Sequence, residues 1–136
     1  MTVLVVDDER RSRDRLARLL RGLPDVSVVA EAQGGPEALT AISRYHPDAV
    51  FLDVQMPSMT GFDVLSAIPA AGRPFIVFVT AYDEHALAAF DVSALDYLVK
   101  PVTEERLFRA VSRIRERMAP QRHDAPQSPP TPRPLR

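Results

Sequence analysis

The run Val50-Phe51-Leu52-Asp53-Val54-Gln55-Met56-Pro57 leaves few folds open. Its apolar residues follow one another without alternation, which reads as a strand covered on both faces, the signature of a parallel sheet. Pro57 and Gly61 prevent the strand from continuing, so Asp53 sits at its carboxyl end. In open α/β sheets that edge is where ligands bind. Asp53 is therefore the first candidate functional residue.

Similar apolar runs recur at Val3–Val6, Val26–Ala30, Phe75–Val79 and Tyr97–Val99, with helical spacing between them, so five βα units are expected. The first helix, near Arg10–Arg21, sets Leu16, Leu19, Leu20 and Leu23 against most of its arginines, and Gly22 and Pro24 stop it. Arg10, Arg11, Arg15, Arg18 and Arg21 read as a solvated face. Gly34-Gly35-Pro36 opens a second helix with Ala38, Leu39 and Ile42 inward, ending before His46-Pro47. A short third helix follows Gly61, with Phe62, Leu65 and Ile68 inward, until Pro69. Asp83 can cap a fourth, apolar nearly all round at Ala86–Phe90, with Asp83-Glu84-His85 as its polar first turn. Thr103 can cap the last, whose predicted buried stripe is Leu107, Phe108, Val111 and Ile114.

A chain of 136 residues has room for one core, placed here in residues 1–118. From 119 to 136 six prolines are interleaved with Gln, Ser, Thr and Arg, which predicts a disordered proline-rich linker or tail. That tail carries +2 of a net charge of −1, leaving −3 on residues 1–118, a balance that does not suggest a nucleic-acid surface on the folded part. The absence of cysteine excludes disulfides and thiolate chemistry. No apolar run is long enough for a signal-peptide core or a membrane span, and a cytoplasmic protein is expected.

Right-handed crossovers restrict how five βα units can wind, and the common doubly wound order 2-1-3-4-5 sets the first strand beside the third. In that order Asp7, Asp8 and Asp53 crowd one rim, and an all-oxygen cluster suits a hard cation such as Mg²⁺. The fourth and fifth strands deliver Thr80 and Lys100 to the same rim. Acids with a metal, one hydroxyl and one lysine can hold a phosphoryl group, and Asp53 can act as its nucleophile.

The pattern Val5-Val6-Asp7-Asp8, Asp53-Val54-Gln55-Met56-Pro57 with Gly61, Thr80-Ala81 and Lys100-Pro101 strongly resembles the receiver domain of two-component response regulators over about residues 1–118. The resemblance implies a flavodoxin-like (βα)5 fold and a phospho-switch rather than a turnover enzyme. It makes Asp53 the phosphoacceptor, with Mg²⁺ held by Asp8, Asp53 and the Gln55 backbone carbonyl and by Asp7 through water. Thr80, Ala81 and Lys100 become phosphoryl contacts, Thr80 and Tyr97 the switch pair, and Lys100-Pro101 a cis peptide. Gln55 and Tyr82 fall at positions that tune dephosphorylation. The implied partners are a sensor histidine kinase and, after phosphorylation, a second copy of the chain, through the face of the fourth helix, last strand and last helix. The tract from Thr80 to Ala86 and from Ala94 to Pro101 is similar to receivers joined to a LytTR-type DNA-binding domain. DNA contact would belong to that domain, which is missing from this chain.

Three other readings compete. An aspartate-nucleophile phosphatase of the haloacid dehalogenase type needs Asp-x-Asp after the first strand, which Asp7-Asp8-Glu9 lacks. A flavodoxin-like electron carrier needs a glycine- or hydroxyl-rich phosphate loop there, also lacking. A stand-alone receiver acting by protein contacts alone fits the proline-rich tail less well.

Overall fold

The computed structural model describes residues 1–81 and 94–124, with the backbone alone over the last five. Strands β1 (Thr2–Val6), β2 (Ser27–Ala32), β3 (Ala49–Asp53), β4 (Phe75–Thr80) and β5 (Asp96–Val99) form one sheet in the order β2-β1-β3-β4-β5. Every neighbouring pair is parallel. The apolar runs predicted the parallel strands, and the doubly wound, flavodoxin-like order is the one the receiver resemblance implied. The boundaries move by a residue or two, most at β2, where the β1 register slips between Val3 and Leu4.

Successive side chains of a strand point to opposite faces, so an unbroken apolar strand needs cover on both sides. On one face Val3, Val5, Phe51, Val77 and Leu98 pack against α1 (Arg10–Arg21) and the C-terminal helix (Glu104–Asp124). On the other, Leu4, Leu52, Ile76 and Phe78 pack against α2 (Gly35–Tyr45) and α3 (Gly61–Ala67). Phe51 and Phe78 are fully buried, and truncating either to alanine would cost about 3–5 kcal/mol.

Local signals set the helix ends. The Thr60 hydroxyl accepts the Asp63 N–H at 3.1 Å while the Asp63 carboxylate accepts the Thr60 N–H at 3.0 Å, a capping box that starts α3. Thr103 caps the C-terminal helix by accepting the Arg106 N–H, as anticipated. Leu107, Val111 and Ile114 are fully buried, but Phe108 is 42% exposed and its place in the stripe passes to Ala110. The physical reason is angular. Positions 107, 110, 111 and 114 share one helical face, and 108 lies about 100° away from 107. The same helix runs past Met118 and through Pro120 to Asp124, although a proline inside a helix removes one backbone donor and crowds the preceding turn. The expected fourth helix, with Asp83, His85 and Ala86–Phe90, and residues 125–136 lie outside the described residues.

Candidate functional site

Strand register assembles the site. Val6 is paired with Leu52, Asp53 with Val79 and Thr80 with Val99, so the next residue of β1 and of β5 reaches the same carboxyl-end rim. Asp7, Asp53, Thr80 and Lys100 therefore come from four different strands to one place. Asp7 is 1% exposed, Asp53 3% and Thr80 not at all, whereas Asp8 is exposed at the mouth. Carboxylate oxygens of Asp7, Asp8 and Asp53 lie within 4.8 Å of one another.

Lys100 reaches into this cluster. Its Nζ stands 3.0 Å from Asp7 Oδ2, 3.3 Å from Asp53 Oδ2 and 4.0 Å from Glu9 Oε1. One ammonium does not neutralise so many acids. Burial, and next the facing Asp7 carboxylate, push the Asp53 carboxyl up to about 7, with Lys100 opposing. Burial pulls the Lys100 ammonium down, but Asp7 and Asp53 outweigh it and leave it above its ordinary value. Asp7 Oδ2 is buried without a hydrogen bond of proper geometry despite the nearby ammonium. Clustered oxygens, uncompensated charge and an under-satisfied buried carboxylate oxygen together fit a hard divalent cation such as Mg²⁺.

The loop after β3 holds Asp53 in aim. The Gln55 N–H donates to Asp53 Oδ1 at 3.2 Å, and the Gly61 N–H donates to the Val54 carbonyl at 2.9 Å. Gly61 comes so close that a Cβ there would lie 2.6 Å from the Asp53 carbonyl oxygen. Only glycine permits that approach. On the far side the Thr80 carbonyl accepts the Lys100 N–H at 2.7 Å, and the Lys100-Pro101 peptide is cis. Ala81 follows Thr80 on the surface. Tyr97, half-buried, stacks on Phe78 with ring centroids 6.1 Å apart. Tyr82 lies outside the described residues.

The structure thus brings together Asp7, Asp8, Asp53, Thr80 and Lys100, with the Gln55 backbone beside them. It adds groups that sequence reasoning missed. Glu9 faces Lys100, and the acidic triplet Asp7-Asp8-Glu9 was the available signal. Arg106 donates to both oxygens of Asp96, at 2.6 and 3.1 Å, and to the Tyr97 carbonyl at 2.8 Å. Asp96 is 4% exposed, and nothing in periodicity marks such a pair. Arg15, exposed as expected of a solvated face, also donates to the Val102 carbonyl.

A family model described as "Response regulator receiver domain" matches residues 3–112. The chain is 42% identical over 119 residues to the transcriptional regulatory protein BtsR of Salmonella typhi, covering 88% of this chain and 50% of that protein. It is 45% identical over 114 residues to an uncharacterised response regulatory protein of Vibrio cholerae, covering 84% and 48%. The chain spans about half the length of the curated relatives it matches. Among solved structures, the response regulatory domain of mrkE from Klebsiella pneumoniae aligns with TM-score 0.78 and 32% identity, over 88% of this chain and 99% of that one. The receiver domain of NarL from Mycobacterium tuberculosis aligns with TM-score 0.73 and 33% identity, over 82% and 92%. No described helix is long and apolar enough to cross a membrane.

Proposed function

Since the chain belongs to the response regulator receiver family of two-component systems, we propose that Asp53 is its phosphoacceptor and that a sensor histidine kinase is the donor. The observation that carries this reading is the rim itself, where Asp53 Oδ2 lies 3.3 Å from Lys100 Nζ inside a cluster of three carboxylates. Receiver domains are phospho-switches rather than turnover enzymes, and with the family assigned the phosphatase and electron-carrier alternatives lose their support.

In the proposed step a carboxylate oxygen of Asp53 forms a bond to phosphorus while the P–N bond to the kinase's histidine breaks. The imidazole leaves with the electron pair. Asp8, Asp53 and the Gln55 carbonyl would hold Mg²⁺, with Asp7 contributing through water. When bound, Mg²⁺ offsets the charge of the acids and of the transferring phosphoryl oxygens. The Lys100 ammonium neutralises a further phosphoryl oxygen, the Thr80 hydroxyl donates to one, and Ala81 leaves the approach open. Gln55 and Tyr82 tune how fast water removes the group.

Downstream, movement of Thr80 toward the phosphoryl group would let the Tyr97 ring turn inward and reshape the face that includes β5 and the C-terminal helix. That face would then pair with a second copy. The half-length match to proteins named as transcriptional regulators supports an output domain in a longer protein, and we assign it to the LytTR-type DNA-binding class on the Thr80–Pro101 tract. Residues 119–136 would serve as the linker, and the protein would act in the cytoplasm.

The test is incubation with acetyl phosphate and Mg²⁺ followed by intact-mass measurement. Wild type should gain one labile phosphoryl group, and Asp53→Asn none. An equally labelled Asp53→Asn would dismiss the assignment.

A further inference from the structure

Among the arginines of α1, Arg13 stands apart. Its side chain is 14% exposed, whereas those of Arg10 and Arg21 are 85% and 55% exposed. The guanidinium turns back across the start of the helix. Its Nη1 donates to the Asp7 carbonyl at 2.9 Å, and its Nε lies 3.5 Å from Glu31 Oε1 on β2. Glu31 is held a second time, by Arg21 at 3.1 Å.

The peptide that Arg13 grips is the one joining Asp7 to Asp8. β1 ends at Val6, but the Asp7 N–H still follows the sheet pattern and donates to the Ala32 carbonyl at 3.1 Å. The Asp7 carboxylate turns the chain by accepting the Glu9 N–H at 2.9 Å. The Asp7 carbonyl accepts from Arg13. Its direction fixes the plane of the Asp7–Asp8 peptide, and with it the place where the exposed Asp8 carboxylate starts. Two acids with different duties, one buried and one at the mouth, depend on this single plane.

We infer that Arg13, anchored by Glu31, is a positioning residue for the Asp7–Asp8 turn and thereby sets the affinity of the acidic rim for a divalent cation. The inference rests on the proposed Mg²⁺ role of that rim. Charge alone predicts the opposite sign, since deleting a cation near an acidic cluster strengthens the cluster's attraction for a metal ion. Groups that orient ligands in this way typically change metal affinity by about 10- to 100-fold when removed.

The experiment is calorimetric titration of the full chain with MgCl2, beside amide hydrogen exchange at Glu9 without metal. Arg13→Gln should bind Mg²⁺ at least about tenfold more weakly and exchange the Glu9 amide faster. Arg13→Lys, which can reach the carbonyl but cannot bridge to Glu31 as a fork, should recover part of the loss. Glu31→Gln, outside the rim, should weaken binding and also speed Glu9 amide exchange without metal, a readout that loss of charge alone does not move, and it carries the test if Arg13→Gln does not fold. Unchanged or tighter binding in Arg13→Gln, or in Glu31→Gln where only that variant folds, would overturn the inference while leaving the rim's role intact. A wild type that binds no Mg²⁺ would overturn both.

Discussion

The placement of Asp53 depends on what sits behind it as much as on what faces it. The strand hands the carboxylate to the rim, and Gly61 then brings the returning chain against the Asp53 carbonyl at a distance no side chain tolerates. Gly61→Ala should therefore push backbone against backbone, costing about 1–3 kcal/mol in urea unfolding. It should also slow acetyl-phosphate labelling of Asp53 by displacing the carboxylate. A variant of wild-type stability and labelling rate would show that the loop relaxes freely. This glycine was legible beforehand as a strand breaker, but its packing role was not, since the partner atom is on another turn of the chain.

Between elements, the buried acid Asp96 and the helix residue Arg106 form the tie that joins β5 to the C-terminal helix. Removing one partner of such a pair strands the other. Arg106→Met should destabilise the fold by about 3 kcal/mol, since Arg113 at 3.4 Å and the Tyr97 N–H are weaker compensation for Asp96. A change below about 0.5 kcal/mol in urea unfolding would show that these suffice. At this scale the helical periodicities were readable, as were Thr103 and the inward stripes of α1 and α2. Phe108 misled because size and apolarity suggested burial, while the helix angle put it outside.

The same helix is tied across the molecule by Arg115, which donates to both carboxylate oxygens of Asp25 at 2.7 and 2.6 Å. That hydrogen bond, more than charge attraction, holds the Asp25 carboxyl below its ordinary 3.8. A depressed pKa adds stability above the unfolded value and loses it as pH falls through the folded one. Both side chains are nearly half exposed, so the contribution is below about 1 kcal/mol. Asp25→Asn should thus be slightly destabilising at pH 6, and the difference should close well below pH 3.8 and shrink in high salt. A difference that persists at pH 2 would assign it to something other than this ion pair.

The proposed switch is also a property of the whole molecule. Tyr97 packs on Phe78, two residues along the strand pair from Thr80, so a shift at the rim has a short route to the β5 surface. Tyr97→Ala should still accept phosphate from acetyl phosphate yet lose phosphorylation-dependent dimerisation in light scattering. Undiminished dimerisation would remove Tyr97 from the proposed switch.

The amino-acid order alone determined the types of the described elements, the parallel strands and the acids, hydroxyl and lysine at strand ends, because periodicity and chain breakers act within a few residues. It did not determine which atoms meet. The reach of Lys100 to Asp7 and Asp53, the grip of Arg13 on the Asp7 carbonyl and the Asp96–Arg106 tie join residues that local pattern leaves unrelated. Those contacts exist only after strand register and helix packing have fixed distances to within an ångström, and charge and hydrogen bonding are sensitive on that scale.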